Sequence, residues 1–195
     1  MAELDDATDR LVSSQVAGVA VRASRDDDVE AMLAIYRYHA RSGIGSLGSY
    51  EVDEPQLEDL RRRRKNMKSH RLPHLVADLA GAILGYAYVV PFRKRPAYRY
   101  AVKHSIYVHH AHLHQGIGRL LLAALIDACA AAGYRQMIGY IDNANQPSVR
   151  LHESFGFKQV GYLPSISFKF GQWADMIIVQ RSLGPGATTK PDIWL

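Results

Sequence analysis

The chain holds one cysteine, Cys129, among 195 residues. A single thiol excludes an intramolecular disulfide framework and a cysteine-based zinc knuckle. A reducing cytoplasm is its simplest home. Long apolar runs are missing too. The longest, residues 83–90 and 120–126, fall far short of the roughly 20 residues that cross a bilayer. Residues 1–16 are acidic and polar, with neither the basic start nor the apolar stretch of a signal peptide, and they read as a frayed tail. No internal repeat is visible. No Gly-Lys-Ser/Thr follows a glycine loop, so the chain lacks a P-loop. Excess charge of one sign is small. Lys and Arg number 24 against 19 Asp and Glu, a net +5. That suits an anionic ligand but is too little to imply nucleic acid.

What is present is a globular composition. The chain is 48% hydrophobic and 22% charged, which excludes a disordered chain. A chain near this length buries roughly 70% of its unfolded surface and fits one domain with a full core. The expected organisation is a tail over 1–16, one domain over 17–183 and a turn-rich tail over 184–195 that ends in the apolar Ile193, Trp194 and Leu195.

Periodicity gives the elements. Residues 19–22 read as a strand, and Ser24 to Asp27 as a capping box with Asp in the usual Glu position. Val29, Met32, Leu33 and Tyr36 follow at helical spacing and predict a helix ending near Gly43. Gly43, Gly45 and Gly48 predict a loop. Pro55 opens a segment with a weaker helical stripe at Leu57, Leu60 and Met67. Strands are expected over 74–79 and 82–90, joined by a tight turn at Ala80-Gly81. After a basic loop, 98–108 reads as a long strand. Residues 116–132 form the strongest helix, apolar nearly all round and so buried, stopped by Gly133. A strand over 136–141, a short helix over 147–155 opened by Pro147, and strands over 160–170 and 175–181 complete a β-α-α-β-β-β-α-β-α-β-β order. That is a mixed α/β domain on one sheet.

The informative segment runs from Ser105 to Arg119. A strand leads through a loop into a helix that opens Gly116-Ile-Gly118. Glycines there let a ligand approach the backbone. The free N–H groups and positive dipole of the helix start favour a phosphate, and Arg119 adds charge. The Rossmann pattern is incomplete, because Arg-Leu-Leu follows where a third glycine belongs.

This segment resembles the pyrophosphate loop of the GNAT acetyltransferases, Q/R-x-x-G-x-G/A, laid on Leu113, His114, Gln115, Gly116, Ile117 and Gly118. Leu113 departs from the family's Gln or Arg. A second GNAT motif, N-x-x-S/A-x-x-L-Y/H-x-x-x-G-F, matches Asn145, Ser148, Leu151, His152, Gly156 and Phe157. The resemblance spans roughly residues 18–183 and implies the GNAT fold: one mixed, mostly antiparallel sheet flanked by helices. Gly43-Ile-Gly-Ser46, Gly85-Tyr-Ala-Tyr88, Arg95-Pro-Ala-Tyr-Arg-Tyr100, His104-Ser-Ile-Tyr-Val108 and the run from Phe168 to Asp175 are similar to the phosphinothricin and methionine-sulfone N-acetyltransferase branch. That branch implies a cytoplasmic homodimer that uses acetyl-CoA, without metal, to acetylate the α-amine of a small amino-acid-like substrate.

The resemblance also implies roles. Loop 113–119 holds the coenzyme A phosphates, and Asn145 and Ser148 its arm. A backbone N–H on Ile106, Tyr107 or Val108 supports the thioester oxyanion. His152 falls where the family carries a Tyr or His and is assigned to proton transfer toward the leaving thiolate. The branch carries a general-base Glu where this chain has Lys103, and three readings of the base stand. His104 acts as base, with an ordinary pKa of about 6.5. Or Lys103 is buried and partly neutral. Or little base is needed, since an amine of pKa about 8 is roughly 10% neutral at pH 7. A charged Lys103 could instead hold a substrate carboxylate. A catalytically impaired acyl-CoA-binding module is the alternative function.

Plainer readings stand beside these. His109, His110, His112 and His114 lie in a loop without metal-ligand spacing, and exposed loop histidines are the expectation. The run Arg61 to Lys65 suggests nucleic acid but sits on a helix as a solvated face. Arg93 and Arg99 either hold a substrate acid group or solvate a loop. Tyr86, Tyr88 and Trp173 line a substrate pocket or pack the sheet. Cys129 is expected as a small core hydrophobe.

Overall fold

A near-continuous apolar run and a left-handed turn build the first hairpin. In the computed structural model, which describes Val16 and residues 18–42 and 56–191, β2 (His74–Leu79) and β3 (Ala82–Pro91) are joined at Ala80 and Gly81. Both turn residues have positive φ, 50° and 94°, the twist that matches flanking strands. Asp78 Oδ1 accepts the Gly81 N–H at 2.7 Å.

The remaining elements keep the expected order. They are β1 (Ala20–Ala23), α1 (Val29–Ser42), α2 (Leu57–Ser69), β4 (Ala101–Val108), α3 (Ile117–Ala131), β5 (Gln136–Asp142), α4 (Gln146–Ser154), β6 (Lys158–Lys169) and β7 (Gln172–Ser182). The strands form one sheet in the order β1-β2-β3-β4-β5-β7-β6. Every neighbouring pair is antiparallel except β4 and β5, which run parallel. The glycine loop at 43–48, Pro55, the first fifteen residues and the terminal Ile193 to Leu195 lie outside the described residues.

α3 supplies the core on one face of the sheet. Leu121, Leu122, Leu125 and Cys129 are fully buried there, against Val89, Val102 and Met137. Burial pushes the Cys129 thiol up to about 12, so it packs as a hydrophobe. The helix is not buried all round, since Arg119 and Asp127 are exposed. α1 and α2 cover the other face with Val29, Met32, Ile35 and Leu60 around Val76 and Tyr86.

Three local expectations change. The cap before α1 sits one residue later than Ser24. The Arg25 N–H donates to Asp28 at 2.6 Å, and Arg22 grips the same carboxylate through two bonds of 2.8 Å. Ser24 is taken instead by Arg64, whose Nε donates to its hydroxyl at 2.9 Å and whose Nη1 pairs with Asp26. Arg64 is therefore 5% exposed and is not part of a solvated face. β4 starts at Ala101 rather than 98, because Pro96 begins a short 3-10 turn over Pro96–Tyr98 and fixes its own φ. After β7 the chain is turned and tied: the Arg135 guanidinium donates to the Thr189 hydroxyl at 3.1 Å.

Candidate active site

The parallel junction is where the sheet opens. β4 and β5 pair over three rungs only, Ala101 with Gln136, Val102 with Met137 and Lys103 with Ile138. Beyond Lys103, β4 stays on β3 to Val108 and β5 stays on β7 to Asp142. The two strands part, and a cavity of about 80 Å³ lies between them. Its walls are His104, Ser105, Ile106 and Tyr107 of β4, Gly139, Tyr140 and Ile141 of β5, and Asn145, Ser148 and His152 around α4.

Two main-chain bonds at its ends set the hydrogen-bond phase of β4. Phe92 donates to the Ala101 carbonyl at 3.0 Å, and His109 donates to the Leu84 carbonyl at 2.8 Å. In an antiparallel pair every second residue bonds the partner. Odd-numbered residues from 101 to 109 thus bond β3, and even-numbered ones turn outward to the gap. The N–H groups of Ile106 and Val108 face the cavity side, and that of Tyr107 does not. Of the three candidate oxyanion donors, the phase leaves two.

His104 and His152 meet inside this cavity. Their Nε2 atoms are 2.8 Å apart. His104 Nδ1 lies 2.9 Å from the Ile138 carbonyl, and His152 Nδ1 lies 2.6 Å from the Ser148 carbonyl and 3.4 Å from the Ser148 hydroxyl. Phe157 packs against both rings. The rings are 6% and 4% exposed. Burial, then repulsion from His152, pushes His104 down to about 3, against the pull of the Ile138 carbonyl. Burial likewise lowers His152, opposed by the Ser148 carbonyl. Both rings rest neutral.

Gly139 makes room for them. A Cβ at that position would lie 2.7 Å from His104 Cε1 and 2.9 Å from Val179 Cγ2. A glycine inside an apolar strand was the visible signal for a close approach here. Ser105, Gly139, Tyr140 and Ile141 are the cavity residues to which sequence reasoning gave no role.

At the far end of β4 the glycine loop takes its expected place. His110 to His112 make a 3-10 turn, His114 and Gly116 have φ of 60° and 85°, and α3 begins at Ile117. The left-handed Gly116 turns the first N–H groups of α3 outward from the loop. Gly118 allows α3 to approach α4, since a Cβ would sit 3.3 Å from Leu151 Cδ2. Gln115 folds back and donates to the Ala111 carbonyl at 3.1 Å, and Leu113 is exposed. Arg119 lies over the Phe155 ring at 5.2 Å. Asn145 caps α4, its Oδ1 accepting the Ser148 N–H at 3.2 Å, which leaves its amide nitrogen free to donate to a ligand.

Lys103 points to the opposite face from His104, with Nζ 5.6 Å from the Tyr140 ring centre. It is half-buried, and among the described residues it has no carboxylate partner. On that face Tyr86 stacks on Tyr107 with ring centres 5.0 Å apart. Tyr86 and Tyr88 line a separate recess of about 30 Å³ beneath α1 and α2. Arg93 and Arg99 are exposed on the basic loop, Arg93 over the Phe92 and Tyr98 rings. Trp173 is 65% exposed on the β6–β7 hairpin and lines another recess, beside the buried Lys169–Asp142 pair. The structure does not bring these three to the cavity. In the loop, the His109 ring centre lies 4.4 Å from that of His110 and 5.5 Å from that of His112, yet no group of three or more side chains that could hold a metal ion gathers among the described residues. No helix of the described residues is long and apolar enough to cross a membrane.

A split parallel junction leading to a glycine-capped helix is the architecture of an acyl-transfer domain. The Acetyltransferase (GNAT) domain family matches residues 21–178, and the chain belongs to that family. It is 42% identical over 173 residues to the phosphinothricin N-acetyltransferase of Alcaligenes faecalis, covering 88% of this chain and 86% of that one. It is 40% identical over 111 residues to the L-methionine sulfoximine/L-methionine sulfone acetyltransferase of Salmonella typhimurium, covering 57% and 65%. The crystal structure of a phosphinothricin acetyltransferase from Sinorhizobium meliloti in complex with acetyl-CoA superposes with a TM-score of 0.85. It is 36% identical, over 90% of this chain and 94% of that one.

Proposed function

We propose that this chain transfers acetyl directly from acetyl-CoA to the α-amine of a small amino-acid-like substrate of the phosphinothricin or methionine-sulfone type. The observation that carries this reading is the gap between β4 and β5. It has N–H donors from Ile106 and Val108 along one lip and a glycine-capped helix start at its end. The thioester carbonyl lies against those N–H groups, whose dipoles stabilise the oxyanion as it forms. The phosphates lie at residues 113–119, where the α3 dipole and Arg119 favour negative charge. Asn145 and Ser148 contact the arm between them. His152, held in place by His104, handles the proton that the amine loses and the thiolate gains. Lys103 holds the substrate carboxylate, with Tyr88 on the same face.

The test is release of free coenzyme A thiol on adding amino acids to protein and acetyl-CoA. Turnover is expected with phosphinothricin or methionine sulfone and not with buffer. Binding of acetyl-CoA without turnover of any amino acid would replace this reading with the acyl-CoA-binding module, which the Lys at position 103 favours.

We further propose that the active form is a homodimer. β6 is an edge strand, and Val160, Tyr162, Ile166, Phe168, Phe170 and Trp173 on its hairpin are 47–65% exposed. An apolar edge of this kind pairs or aggregates unless covered. Sedimentation equilibrium should give twice the chain mass, and Trp173→Glu should shift it toward the monomer. A monomeric parent at micromolar concentration would sink the dimer.

A further inference from the structure

The histidine pair has more hydrogen-bond contacts than protons. The Ile138 carbonyl at 2.9 Å needs a hydrogen on His104 Nδ1, the Ser148 carbonyl at 2.6 Å needs one on His152 Nδ1, and the 2.8 Å contact between the Nε2 atoms needs one more. Carbonyl oxygens only accept, and a neutral imidazole carries one N–H. Two neutral rings bring two hydrogens to three contacts, so one contact is bare.

Among the described residues, only one of the three has a substitute donor. The Ser148 hydroxyl lies 3.4 Å from His152 Nδ1, whereas nothing comparable stands beside His104 Nδ1 or between the Nε2 atoms. The bare contact therefore falls at His152 Nδ1. His104 carries its hydrogen on Nδ1 and accepts at Nε2, and His152 donates from Nε2 to His104. Building on the acetyl-transfer reading above, we propose that Ser148, His152 and His104 form a single relay. Its vacant proton position is His152 Nδ1, and its mouth is the Ser148 hydroxyl in the cavity wall.

The relay balances the reaction. The substrate ammonium gives one proton to Ser148 Oγ as the hydroxyl passes its own to His152 Nδ1, and all three contacts are then complete. After the free amine attacks and the C–S bond breaks, the same path returns that proton to the thiolate. The second proton lost by the amine goes to solvent. His104 touches no substrate. It is a positioning residue that fixes the His152 tautomer through its own bond to Ile138. Among the described residues, no charged side chain lines the cavity. The other ionisable groups on the cavity wall are the phenols of Tyr107 on β4 and Tyr140 on β5. Arg150 and Glu153 of α4 are exposed, and Lys103 faces the other side of the sheet.

The proton positions are read directly by nitrogen-15 NMR of histidine-labelled protein at neutral pH. The expected result is one buried ring protonated at Nδ1, assigned to His104, and one protonated at Nε2, assigned to His152. Finding His152 protonated at Nδ1 in the resting protein overturns the relay, whether or not any amine is acetylated. For turnover, Ser148→Ala should lower kcat about tenfold at pH 7, the neutral fraction of an unassisted amine. The deficit should close by about pH 9, and Ser148→Thr should restore the parent profile. An unchanged kcat and pH profile in Ser148→Ala would also overturn it.

Discussion

Gly139→Ala is expected to lower kcat/KM at least about a hundredfold while the protein still folds. The new methyl would stand 2.7 Å from His104 Cε1 and 2.9 Å from Val179 Cγ2, closer than carbon atoms tolerate. The β5 backbone is pinned on β7 over seven rungs, so the imidazole must yield. A shift near 1 Å in positioned catalytic groups costs about 100-fold, and here both histidines move together because they are bonded. Overpacking a buried site costs typically 1–3 kcal/mol of stability, so melting should fall by several degrees without collapse. Parallel measurement of kcat/KM and Tm separates the two effects. Full activity in Gly139→Ala would mean that the His104 ring position does not matter to the reaction.

Lys103→Met should raise KM for α-amino acids about tenfold to a hundredfold and leave their amides nearly untouched. A hydrogen bond to a charged group is worth about 1.5–3 kcal/mol, and each 1.4 kcal/mol is about tenfold in affinity. The side chain is half-buried above Tyr140, where water screens it less than at the surface. The comparison of acid with amide isolates the carboxylate from general damage. Lys103→Glu gives the opposite reading its chance. If Glu at this position raised kcat well above the parent, Lys103 would be an impairment rather than an anchor.

The architecture was legible because its signals are local. The apolar runs at residues 82–90 and 120–126 and the glycines at 81, 116 and 133 each act within a few residues, and the element order followed from them. The burial of Arg64 was not legible, because it depends on a side chain bonding Ser24, 40 residues away, and the cap at Asp28 differs from the expected one through a competition between neighbouring carboxylates for Arg22 and the Arg25 N–H. The two histidines could be named from the sequence, but their bond joins residues 48 apart. No periodicity carries such a distance. Likewise the motif alone left three donors on β4, and the phase of its pairing with β3 narrowed them. Trp173 and the basic loop were open between pocket and surface roles in the sequence, and the sheet places the tryptophan on its outer hairpin.

The three-rung junction has a consequence for how the molecule comes apart. β1 to β4 with α1 and α2 form one hydrogen-bonded body, and β5 to β7 with α4 form another. Among the described residues, the short parallel seam, the bonds of Arg135 and Gln136 to the Tyr100 carbonyl, the His104 contacts with Ile138 and His152, and the α3 core tie them together. Regions with few shared hydrogen bonds open first in sub-global fluctuations. A thioester lying across both lips would therefore act as a suture, joining two semi-independent folding units into one cooperative whole.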